Sequence, residues 1–153
     1  MPSTVFVKLN LKDQSEIVVL NAPPSFEPEL RASRGVNVLR RLPAKGPVGF
    51  VLAFVTRQAE VPPLAKAVAK VTLGDAVVWF AYPKTGSKRY TTDLTRDKGW
   101  ESLGSAGFEA VRMVAIDEDW SAKRYRRVEF IKTMTRDVAG AMTTAGKAKA
   151  RKG

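Results

Sequence analysis

VVWFAYPKTGSKRYTTDLTRDKGW, residues 77–100, starts as an unbroken apolar run and ends as charge. A strand with one face in water alternates apolar and polar residues, whereas a strand covered on both faces has no need to. The run up to Tyr82 therefore predicts a central strand, buried on both sides. Pro83 ends it, and the polar dozen that follows predicts a loop delivered to the edge of a sheet. VGFVLAFV (48–55) reads the same way, as another strand that is apolar throughout.

Outward from these two strands the pattern alternates. IVVL (17–20) is a short strand ended by Asn21 and two prolines, and EPELRAS (27–33) is a short helix stopped at Gly35. VNVLRRL (36–42) is a further strand. Leu64, Ala67, Val68 and Val71 recur at helical spacing, with Gly74 and Asp75 as the stop. Asp93 or Thr95 is expected to cap a helix carrying Trp100 and Leu103. AVRMVAI (110–116) and KRYRRVEFI (123–131) complete six strands. The link between these last two is too short for a crossover, so they form an antiparallel hairpin. The expected fold is a three-layer α/β/α Rossmann-like sheet, mostly parallel, with the last strand antiparallel. That architecture is similar to the one found in methyltransferases. Residues 1–131 form the single domain, and residues 132–153 are expected to be a basic, disordered tail.

Composition narrows the chemistry. The chain has no cysteine and no histidine, which excludes thiol nucleophiles, Ser-His-Asp triads and His- or Cys-bound metals. A proton-moving side chain here is Asp, Glu, Lys or Tyr. The net charge is +11, and the stretch 132–153 alone holds six basic residues and one acid. Such a balance permits contact with nucleic acid but more often marks a solvated surface. Residues 1–9 lack the apolar run of a signal peptide, no stretch reaches the ~20 apolar residues of a membrane helix, and a cytoplasmic protein is expected.

Standard nucleotide binding needs a glycine-rich turn after the first strand and an acid ending the second. Here the turn is NAPPSF (21–26) and the second strand runs into Arg40 and Arg41. Proline has no N–H to offer a phosphate. S-adenosylmethionine or a dinucleotide in the standard pose is therefore not expected, and no cofactor or metal is assigned. Ligands of parallel sheets lie beyond the strands' carboxyl ends, which selects Asn21, Pro23, Lys84, Ser87, Asp93, Asp117, Trp120 and Ser121 as candidate ligand-binding residues. A lysine and a serine in a long loop suit a small anion. Asp117 and Asp119 are read as a solvated hairpin in preference to a divalent-cation pair. In KRYRR, basic residues surround a tyrosine on what reads as an exposed sheet margin. Lys123, Arg124, Arg126 and Arg127 form the alternative, nucleic-acid site.

Several of these segments resemble an uncharacterised bacterial family with a Rossmann-like, methyltransferase-like fold. The resemblance lies in VVLNAP (18–23), VWFAYPK (78–84) with a serine soon after, TDLTRD (92–97) and IDEDWSA (116–122), and spans residues 9–127. It implies that the candidate residues belong to one pattern, and it carries no established activity. The expected function is a module binding a small anion or a protein, without standard nucleotide or S-adenosylmethionine motifs and with no reaction assigned. The alternative is an electrostatic nucleic-acid binder.

Overall fold

A computed structural model of the protein describes residues 4–9, 11, 14–32 and 35–131. The expected tail lies outside the described residues. In chain order the elements are α1 (Thr4–Lys8), β1 (Glu16–Leu20), α2 (Glu27–Ala32), β2 (Asn37–Leu39), β3 (Phe50–Phe54), α3 (Val61–Val71), β4 (Val77–Pro83), α4 (Glu101–Ser105), β5 (Phe108–Ala115) and β6 (Trp120–Arg127). Short 3-10 turns lead into α2 and α3 and follow β6.

The strands form one six-stranded sheet in the order β2-β1-β3-β4-β6-β5. β2, β1, β3 and β4 are parallel neighbours. β6 runs antiparallel to both β4 and β5, so β5 points the same way as the first four. The expected fold class is the one observed. The chain steps from β1 to β2 on one side and then to β3 on the other. The order of strands thus reverses between β1 and β3, which opens a crevice at their carboxyl ends.

The continuous apolar runs are explained by period two. Val18, Val51, Val78 and Phe80 face one layer, where α3 presents Val61, Ala65 and Val68 and α4 presents Leu103. Ile17, Val19, Phe50, Leu52 and Trp79 face the other, covered by Phe6 of α1, by Leu9 just after it and by Phe26 and Leu30 around α2. Pro62 and Pro63 sit in the first turn of α3, where a missing N–H leaves no bond unmade. At the far end of α3, Arg127 donates to the carbonyls of Ala69 (3.0 Å) and Thr72 (2.8 Å), satisfying the helix terminus.

Two parts of the sequence reading are corrected. α1 was not anticipated, because five residues give too little periodicity to identify a helix. KRYRR is not on the margin of the sheet. β6 lies between β4 and β5, with Tyr125 fully buried and Lys123 only 6% exposed. The cations are accommodated by specific partners, described below.

α1 is fastened by Trp79, whose indole Nε1 donates to the Leu9 carbonyl at 2.7 Å in the buried layer. Trp79→Phe keeps most of the apolar area but leaves that carbonyl without its donor. We expect a loss of about 1–3 kcal/mol in urea unfolding, with faster amide exchange in α1 before the rest of the sheet.

Candidate functional site

The loop after β4 is built around Ser87. β4 runs on past Pro83 as Lys84 N donates to the Asp119 carbonyl (2.8 Å), and Ser87 N then closes a turn on the Lys84 carbonyl (3.0 Å). The Ser87 hydroxyl donates to Asp119 Oδ1 at 2.9 Å and accepts from the amides of Arg89 and Tyr90. Arg89 faces the other carboxylate oxygen, Nε to Oδ2 3.8 Å. Asp117 holds the facing hairpin: its Oδ1 accepts from the amides of Asp119 (2.8 Å) and Trp120 (2.9 Å). The two acids therefore serve the turn itself. Ser121 follows in register opposite Tyr82.

Trp120 is buried under this loop. Its ring lies 4.9 Å from Tyr90 and 5.1 Å from Phe54, which continues to Phe26 at 5.0 Å. An aromatic row thus runs along one face of the sheet from the β4 loop to the turn after β1. The Trp120 Nε1–H is buried without a hydrogen-bond partner, a costly state for a donor.

The candidates do not all meet in one cavity. Lys84 and Ser87 line a hollow of about 290 Å³ with Tyr90 and Thr92. Asp119 and Arg89 line a second of about 340 Å³. Asn21 and Pro23 border neither, because β3 separates β1 from β4. Asp93 does not cap α4. Its Oδ1 accepts from Gln58 N (2.7 Å) and its carbonyl from Gln58 Nε2 (2.5 Å), which pins the loop to the start of α3. Thr95 gives its carbonyl to Trp100 Nε1 instead of capping. Gly99, at φ 103°, lets the loop approach so closely that a Cβ would overlap Leu94 and Gln58.

The crevice between β1 and β3 has features that local sequence conceals. Asn21 has φ 57°, the only left-handed non-glycine residue among those described. Asparagine tolerates that conformation better than most residues, so it turns the chain where a glycine was thought necessary. The acid missing from the end of β2 arrives from α2. Glu27 takes both Arg40 guanidinium nitrogens, at 2.6 and 2.9 Å. That hydrogen-bonded guanidinium holds the Glu27 carboxyl below its ordinary range. After β3, Glu60 accepts from the amides of Thr56 and Arg57, both at 2.8 Å.

Three of the four cations of the nucleic-acid alternative are taken by internal partners. Arg126 is bidentate to Asp75 at 2.6 and 2.7 Å, and Arg127 caps α3. Lys123 is buried on the Arg96 carbonyl. Arg124 is half-buried, and burial, helped by the positive charge of Arg126, lowers its pKa.

No family model matches the sequence, and no curated protein does. Solved structures do match in fold. An S-adenosylmethionine-dependent methyltransferase from Aquifex aeolicus is 14% identical, with TM-score 0.56, over 82% of this chain and 89% of that one. The N-methyltransferase NodS from Bradyrhizobium japonicum, in complex with S-adenosylhomocysteine, is 10% identical with TM-score 0.50, over 81% and 84%. The cyclase SpnF is 11% identical with TM-score 0.51, over 80% and 78%. The class shown is the methyltransferase-like α/β fold. These matches overturn the expectation of an anion- or protein-binding module set apart from S-adenosylmethionine proteins. That expectation rests on a first turn without glycine, where Asn21 adopts the left-handed conformation.

Ser87→Ala removes the donor to Asp119 and the acceptor of two loop amides. We expect the 84–95 loop to open more often, with tryptic cleavage at Lys88 and Arg89 rising about tenfold for the ~1–1.5 kcal/mol of a typical hydrogen bond. Global unfolding should move far less, and equal shifts in both would show that the bond supports the whole domain.

Proposed function

We propose that this chain is a methyltransferase-like protein that holds an S-adenosylmethionine-type cofactor across the carboxyl ends of β1 and β3. The observation that carries the proposal is Asn21 in the left-handed conformation, set where the strand order reverses. Three features of the chain fit such a group. The Asn21 turn brings backbone close to the crevice without the steric conflict of a β-branched residue. Glu27, kept ionised beside Arg40, offers carboxylate oxygens to the hydroxyls of a ribose. Thr56 and Arg57 form the opposite lip, held rigid by Glu60. Pro23 and Pro24 contribute no N–H, so recognition at this turn rests on the Asn21 amide side chain and the Ala22 backbone. When bound, the cofactor would supply an electrophilic methyl group. The resemblance to an uncharacterised family with this fold belongs to the same proposal, and the quoted VVLNAP motif, which contains Asn21, supports it.

Calorimetric titration with S-adenosylhomocysteine and S-adenosylmethionine tests the reading. We expect one site per chain, retained in Asn21→Gly. Asn21→Val, whose side chain disfavours φ 57° by ~1–2 kcal/mol, should weaken binding at least fivefold while the sheet stays folded by circular dichroism. Absence of binding at millimolar ligand, or full affinity in a folded Asn21→Val, overturns it.

A further inference from the structure

β5 breaks register with β6 once. Ala110 pairs with Tyr125 and Arg112 with Arg124, so Val111 is an extra residue bulged from the edge strand. A bulge bends its strand and re-aims the side chains beside it. At this one lies a cavity of about 580 Å³, lined by residues 110–113, by Arg96 and Asp97 before α4, and by Lys123 of β6. That volume falls within the roughly 300–1,000 Å³ of small-molecule sites. Loop, edge strand and inner strand thus converge on it.

Lys123 is the unusual member. It is buried at 6% exposure, yet its side chain reaches the cavity wall. Nζ donates to the Arg96 carbonyl at 2.5 Å and lies 5.0 Å from the Trp100 ring and 5.5 Å from Tyr125. The carbonyl and the two ring faces fix the ammonium in position. Tyr82, packed 5.2 Å from Trp100, has its pKa raised by burial and by the charge of Asp97, so it stays a phenol at the margin of the cluster. Arg96 and Lys123 face a single lining acid, Asp97, whereas Arg112, paired with Arg124, turns its side chain to the opposite face of the sheet. Val111 and Met113 add apolar surface, each 41% exposed. Cations on one wall and an apolar rim on the other select an amphipathic anion.

We propose that the bulge cavity binds a small oxyanion, a carboxylate or a phosphate, that carries an apolar body. Its head meets Arg96 and Lys123, and its body lies on Val111 and Met113. The site is separate from the crevice of the proposed cofactor. β5 stands four strand positions from β1, about 19 Å at roughly 4.8 Å per strand. The inference does not rest on the cofactor reading.

Phenylacetate, phenyl phosphate and the neutral benzyl alcohol are the probes, titrated into the isotope-labelled full chain with amide shifts followed at residues 110–113 and 123. Either anion should bind at least fivefold more tightly than the alcohol, and the tighter of the two identifies the preferred headgroup. Arg96→Ala should weaken that anion about tenfold, the loss of one charge-assisted hydrogen bond. The Arg96 side chain is 77% exposed, so the variant should fold. Equal binding of the alcohol, or undiminished anion binding in Arg96→Ala, overturns the proposal. S-adenosylhomocysteine titration reports on the other crevice, so the two readings stand or fall separately.

Discussion

The insertion of β6 between β4 and β5 fixes where the long polar loop after β4 lies. Antiparallel pairing from Val78–Tyr125 to Pro83–Trp120 brings the hairpin turn back against the end of β4. Asp119 therefore meets the loop that leaves Pro83, through the Lys84 amide and the Ser87 hydroxyl. The same pairing puts Trp120 and Ala122 on one face and Lys123 and Tyr125 on the other. One face continues the aromatic row toward β1. The other seats a lysine among Trp100 and Tyr125. A shift of one residue would exchange the two sets and bury Arg124 where Tyr125 now packs.

Legibility in the sequence followed the range of each interaction. The strands were readable because burial on both faces leaves a continuous apolar run, as in Phe50–Phe54 and Val77–Pro83. The hairpin was readable because its link is short. The position of β6 was not, since the polar residues of KRYRR conceal that three of them meet partners distant in sequence: Asp75 for Arg126, the end of α3 for Arg127, the Arg96 carbonyl for Lys123. Site residues divide in the same way. Strand direction brings Lys84 and Ser87 against the hairpin that holds Asp117, Trp120 and Ser121, but these three do not line the hollow that Lys84 and Ser87 share. Asn21 and Pro23 were assigned to the wrong neighbours, because strand order, which puts β3 between β1 and β4, is not written in any one segment. The Glu27–Arg40 pair was missed because its members come from α2 and the end of β2, thirteen positions apart.

The fold constrains chemistry less than the side chains do. A cyclase and two methyltransferases share this architecture, so the sheet is a platform that several reactions use. In this chain the absence of histidine and cysteine leaves proton handling to carboxylates, lysines and phenols. The carboxylates described here are largely committed: Asp119 to Ser87, Asp117 to its own turn, Glu60 to the amides after β3, Asp93 to Gln58. Such bonds make the carboxyl edge rigid, which favours binding of a preformed ligand shape over large rearrangement.

The bulge at Val111 also bears on how the sheet ends. A regular outer strand exposes a row of amide and carbonyl groups onto which a neighbour's strand can add, and repeated addition leads to fibres. Here one margin is β2, only three residues long. The other is β5, whose eight residues are interrupted by a dislocated one that puts the groups on either side out of step. An incoming chain would meet two short templates of mismatched phase, with the Arg112 charge beside the break. The irregularity that shapes a cavity on the inner side thus also discourages polymerisation on the outer side.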